Sequence, residues 1–134
     1  MARRLAHGPA ILRDMNDSFA LPAAIAAYVD GMNHGSIDEM AAGFAWGAWV
    51  NDEHTEHIGD AAIRKWLEGA LKAQVRLAVR KVRSNGHAQV IIDGEIDGQF
   101  PRDGLPEHIV LTHYFSLENG KISQLIILLN DVHR

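Results

Sequence analysis

The apolar residues of this chain change period once, and that switch restricts the fold more than any other feature. Upstream of Val75 they recur at helical spacing, as in Ile25, Tyr28, Val29 and Met32 and again in Ile63, Trp66, Leu67 and Leu71. From Val75 onward the period is two, broken by Asn85-Gly86 and Asn119-Gly120. Asn-Gly is the pair that tight hairpin turns favour, because both residues tolerate positive φ. Helices first and a hairpin-connected meander afterwards is an α+β pattern.

The segments follow from local signals. A first helix opens near Pro22 and stops at Gly35, and Ser36 with Glu39 reads as a capping box for a second helix running to about Phe44. A short strand closes on Asn51-Asp52-Glu53, residues 52–57 read as a polar loop, and a third helix starts at Asp60. Folding the first hairpin at Asn85-Gly86 sets Arg76 opposite Glu95 and Val79 opposite Ile92. Folding the second at Asn119-Gly120 sets His113 opposite Ile126. One face of that second hairpin then carries Ile109, Leu111, Phe115, Leu117, Ile122, Ile126 and Leu128. The other carries Val110, Tyr114, Leu125, Ile127 and Leu129. A sheet apolar on both sides must be covered twice, and three short helices cover one side only. The expectation is a homodimer burying Val110, Tyr114, Leu125 and Ile127. Residues 1–20 read as an N-terminal arm, and 21–134 as a single domain.

Composition narrows the chemistry. There is no cysteine, which removes disulfides, thiolate nucleophiles and thiolate-held metal. A net charge of −4 supplies no general attraction to nucleic acid or to an anionic membrane. The start, MARRLAHGPAIL, has no apolar run long enough for a signal peptide or a membrane span, so a cytoplasmic protein is expected. Phosphate loops, serine elbows and dinucleotide fingerprints are missing from the sequence.

Several stretches resemble the nuclear transport factor 2-like superfamily, which includes the ketosteroid isomerases and the SnoaL-like polyketide cyclases. Tyr28-Val29 followed by Asn33 and Gly35 looks like that family's first helix, Ala48-Trp-Val-Asn-Asp52 like its first strand, and Gly59-Asp-Ala-Ala-Ile63 like its entry to the third helix. Gly98-Gln-Phe-Pro-Arg-Asp-Gly-Leu-Pro106 is similar to a loop of small bacterial SnoaL-like proteins. The resemblance implies a cystatin-like cone, a curved antiparallel sheet wrapped around three N-terminal helices. It also implies an apolar pocket and cofactor-free acid–base chemistry on a small apolar carbonyl compound, by an isomerase, cyclase or lyase. A hydrophobic-ligand-binding or protein-interaction module of the same fold is the alternative.

On this resemblance Tyr28 matches a catalytic tyrosine and Asp52 a catalytic base. The third family position, an aspartic acid on a late strand, falls on Thr112 without a gap and on His113 if the turn is one residue shorter. Period-two phase sides with His113. Catalytic candidates are therefore Asp52, Tyr28 and His113, with Met32, Trp66 and Phe115 lining the ligand. Each has a plainer reading: Asp52 solvated in the loop, Tyr28 and His113 satisfied in the core, and Trp46, Trp49 and Trp66 as core. His54 and His57 with Glu53 and Glu56 lack the helical spacing that presents two metal ligands on one face, and they read as a solvated rim. Of the basic residues Arg76, Arg80, Lys81 and Arg83, Arg76 reads as opposite Glu95, with Asp93 diagonal to Arg76 and Arg80, so cross-strand charge pairing explains much of the patch without a ligand.

Overall fold

In the computed structural model, residues 19–86 and 88–130 are described, so most of the expected arm (1–20) lies outside the described residues. Helix α1 spans Ala23–His34, α2 Ile37–Ala42 and α3 Asp60–Lys72. The strands are β1 Phe44–Asp52, β2 Thr55–Ile58, β3 Arg76–Asn85, β4 Gln89–Asp97, β5 Ile109–Glu118 and β6 Lys121–Leu129. Among the described residues no helix is long and apolar enough to cross a membrane.

The helix ends follow their local chemistry. Gly35 adopts φ +75°, and the Ser36 and Gly35 N–H groups turn back to the carbonyls of Gly31 and Met32. This left-handed stop is the one glycine permits at least cost. The Ser36 hydroxyl accepts from the Glu39 N–H, but the expected return bond from Glu39 does not form, because Glu39 Oε1 pairs with His34 Nδ1 at 3.1 Å. Helix α2 ends at Ala42, and Phe44 already belongs to β1.

The six strands form one sheet in the order β2-β1-β6-β5-β4-β3. Pairing is antiparallel except between β1 and β6, which run parallel, with Val50 beside Leu125 and Asp52 beside Ile127. Along the chain α3 separates the β1–β2 hairpin from the later strands, and that crossover lets β1 meet β6 in the same direction. The expected all-antiparallel sheet is corrected at that seam. The sheet stays open, with β2 and β3 as its edges, and it curves so that α1 packs against both β3 and β6. Asn33 fastens one side of this wrap. Its amide donates to the Leu77 carbonyl at 2.9 Å and accepts from the Leu77 N–H at 2.8 Å.

Three local irregularities overturn sequence expectations. Residues 52–57 are not a loop: Glu53 and His54 take φ +49° and +75°, and β2 folds straight back on β1. Glutamate rarely takes positive φ, whereas histidine does so more readily, and the Asn51 side chain closes the turn by accepting from the His54 N–H at 2.8 Å. In the first hairpin Asn85 pairs with Gln89, so the connection is longer than the expected Asn-Gly pair, and the register shifts back by one between Val79 and Lys81; Arg76 therefore faces Asp97 rather than Glu95, and Val79 faces Gly94 rather than Ile92. Arg80 and Arg83 still find carboxylates, Glu95 and Asp93 respectively. In the second, the Asn119-Gly120 turn forms, but Ser123 is an extra residue, so His113 pairs with Ile127 instead of Ile126.

That bulge exchanges the faces of β6. Leu125 and Ile127 lie in the core, opposite Phe115 and His113. The expected interface of Val110, Tyr114, Leu125 and Ile127 therefore does not exist as one surface. The outer face instead pairs Tyr114 with Ile126 and Thr112 with Leu128. Trp46 is corrected too: it stands 89% exposed beside Gly47, whose φ of +73° interrupts β1.

Candidate functional site

The curved sheet and the helices enclose an apolar cavity of about 410 Å³. It is built from α1 through Tyr28 and Met32, from the end of β1 through Asp52, from α3 through Trp66, and from β5 through His113. Five of the six sequence candidates thus meet in one space. Phe115 does not line it directly, but packs behind it. Its ring centroid lies 5.8 Å from Tyr28 edge-on and 6.0 Å from His113 in a stack.

The choice between Thr112 and His113 is made by the pleat. His113 lines the cavity, whereas Thr112 points to the outer face and donates its hydroxyl to Asp93 Oδ1 at 2.8 Å. Asp52 sits half-buried at the last residue of β1 and accepts from the Trp66 indole N–H at 2.9 Å on Oδ2. A charge-assisted bond of this kind fixes the carboxylate's orientation and leaves Oδ1 for a ligand.

Trp66 is itself held on two sides. It stacks on Tyr28 at 6.3 Å and 12° and on His57 at 5.7 Å and 28°. The rim reading of His57 therefore misses this contact, which no spacing rule announces while β2 is read as loop. Glu56 accepts from the Trp49 indole. Among the described residues no three His, Asp or Glu side chains gather as a metal site.

Tyr28 is 1% exposed, and its rings of contact are Phe44, Trp66, His113 and Phe115. Burial, with the Asp52 charge adding to it, pushes the phenol well above the usual tyrosine range, so it remains a protonated donor. Among the described residues its hydroxyl has no hydrogen-bond partner. His113 is pushed down to about 4, chiefly by desolvation, against smaller upward effects of the Leu111 carbonyl and the Asp93 charge. Its Nδ1 lies 3.1 Å from the Leu111 carbonyl oxygen. A carbonyl only accepts, so Nδ1 carries the proton and Nε2 a lone pair. The neutral ring is thus arranged to accept from a ligand through Nε2.

Lys65, Gly69, Ala73 and Phe100 also contribute to the lining. Nothing in their residue types marked them in advance, apart from the loop that carries Phe100.

The SnoaL-like domain model matches residues 25–125. No curated protein sequence matches the chain. Among solved structures, a Sinorhizobium meliloti protein provisionally named a polyketide cyclase superposes with a TM-score of 0.72 at 28% identity, over 81% of this chain and 95% of its own. A protein from Catenulispora acidiphila with a ketosteroid isomerase-like fold, in complex with trimethylamine, gives 0.68 at 15% identity over 81% and 86%. SalBIII, an epoxide hydrolase/cyclase-like enzyme with a role in pyran ring formation in salinomycin, gives 0.67 at 18% identity over 81% and 89%. At those identities the last two attest the fold alone.

Proposed function

The chain belongs to the SnoaL-like domain family, and from that membership we propose that it is a small-molecule isomerase, cyclase or lyase acting on an apolar carbonyl compound by acid–base proton transfer. The observation that carries this reading is the Asp52 carboxylate, oriented by Trp66 in an apolar cavity shared with the Tyr28 hydroxyl. Asp52 Oδ1 takes the proton from a carbon beside the carbonyl, and the electron pair moves onto the carbonyl oxygen. Tyr28 donates its O–H to that developing oxyanion. Asp52 then returns the proton to a second carbon of the same conjugated system, which completes an isomerisation. In a cyclase or lyase the enolate carbon would instead attack an electrophile or expel a leaving group. His113 Nε2 accepts from a ligand hydroxyl and so helps to orient it. The cyclase names of the S. meliloti protein and SalBIII lie in the same chemical range.

Proton exchange of small enolisable ketones, cyclohexanone first, followed by NMR tests this reading. Asp52→Asn keeps the shape and removes the base, so exchange should fall about 10²–10⁴-fold with binding largely kept. Exchange that continues unchanged in Asp52→Asn ends the general-base assignment.

A second reading has its own support. The His113 N–H is committed to Leu111 and one Asp52 oxygen to Trp66, which leaves Tyr28 as the only protonated donor named among the three candidates. That is sufficient to orient a hydrophobic ligand without turnover. Under this reading no ketone is exchanged, and Asp52→Asn changes affinity or nothing.

For assembly, the proposal is a homodimer through the outer face of β5 and β6, where Tyr114 is 39% exposed next to Ile126. Light scattering that finds a monomer at micromolar concentration rules it out.

A further inference from the structure

We propose that ligands enter the cavity through a slot between α3 and the loop after β4, and that Gly69 and Phe100 set its width. The inference rests on the reading of this cavity as a ligand site. Its deep end is closed, since Tyr28, Leu77, His113 and Ile127 are all 2% exposed or less. The lining residues open to solvent are Lys65 and Gly69 on α3. Lys65 and Gly69 on α3, and Ala73 at its C-terminal cap, are spaced by four and line up along one side. Gly69 lies inside α3, where glycine is less favourable than alanine. A Cβ there would meet nothing within 4 Å, so no packing demand within the chain calls for glycine. The row is simply kept low beside an opening.

The loop brings Phe100 into the same lining, and it is braced rather than loose. The Gln99 N–H donates to the Ala73 carbonyl at 2.6 Å, at the end of α3. Gly98 passes so close that a Cβ would lie 3.0 Å from that carbonyl oxygen and 3.1 Å from Val75 Cα. The Arg102 guanidinium sits 4.6 Å from the Phe100 ring centroid and bonds Asp97 and the Gly98 carbonyl. Phe100 is thus held as a wall. At the far end waits the buried Tyr28 hydroxyl with no partner among the described residues, a reason for a polar ligand group to travel the full depth.

Anilinonaphthalene sulfonate, whose fluorescence rises on leaving water, serves as the probe. Gly69→Leu should leave the melting temperature level or raise it by about 2–3 °C, as a helix former replacing glycine in open space. The same change should weaken probe binding about tenfold or more, the scale on which a pocket resolves added methyl groups. Phe100→Ala should speed probe association about threefold in stopped flow. Combined with Gly69→Leu, it should restore much of the lost affinity, because the two face one gap. The inference is overturned by unchanged affinity in Gly69→Leu, by an unchanged association rate in Phe100→Ala, or by a double variant no better than Gly69→Leu. A Gly69→Leu melting temperature lowered by several degrees, or a wild type that binds no probe, overturns it equally. Cyclohexanone exchange through Asp52 does not depend on the probe, so the two readings fail separately.

Discussion

The His113 ring offers a direct test of how this core handles charge. Its neighbours are the Tyr28 and Phe115 rings, the Leu111 carbonyl and the paired Ile127. None of these hydrates an imidazolium, and Asp93 acts only from the opposite face of the sheet. The folded protein therefore holds the ring down at about 4, against 6.5 for a solvated histidine. Between those values the unfolded chain binds a proton that the folded chain refuses. Stability must then rise with pH across this window and fall on acidification. The full gap is worth about 3 kcal/mol, and about 2 kcal/mol of it falls between pH 7 and pH 5. Against a typical net stability of roughly 5–15 kcal/mol this is a large share. Urea unfolding at pH 7, 6 and 5, compared between wild type and His113→Asn, isolates the term. The asparagine amide can still donate to Leu111 but cannot titrate, so other groups contribute equally to both proteins. The variant should lose about 2 kcal/mol less than wild type over the interval. Equal pH dependence in the two proteins would refute the reasoning, and so would an imidazole signal titrating near 6.5 in the folded state.

Three further outcomes are expected. Asn33→Leu keeps the branched shape but removes both Asn33 hydrogen bonds to the Leu77 backbone in the core, which should cost about 2–4 kcal/mol in urea unfolding. Trp66→Phe preserves a ring between Tyr28 and His57 while removing the N–H that orients Asp52. Ketone exchange should fall about tenfold with the fold intact, and full activity would show that the carboxylate needs no such guide. Deleting Ser123 makes β6 alternate regularly and keeps Leu125 opposite Phe115 and Ile127 opposite His113, so circular dichroism should still show one cooperative thermal transition, and its loss would show that the bulge itself is needed.

The parts of this molecule that the sequence made legible are those set by nearest neighbours. Gly35 stops α1, Asn119-Gly120 turns the last hairpin, and the helical spacing of Ile25, Tyr28, Val29 and Met32 selects residues that are all buried. Strand faces are different, because period-two phase is carried forward from the turn, and one extra residue inverts everything beyond it. Arg80 and Ser123 are such residues, and their side chains give no sign of it. Counting through Ser123 put Leu125 and Ile127 on an outer face and made the second hairpin seem more two-sided than it is. The gathering of the candidates around one cavity survived that error for a positional reason. Tyr28 lies on a helix, where phase is reset every turn. The face assigned to His113 rested on Leu111, Phe115 and Leu117, its neighbours on the same uninterrupted strand, so the Ser123 bulge changed its partner and not its side. Asp52 was found through resemblance, since the break at Gly47 lies between it and the start of β1. The entrance had no such help. Gly69 is informative only once the space beside it is seen to be empty, which is a property of the folded helix and not of the residue.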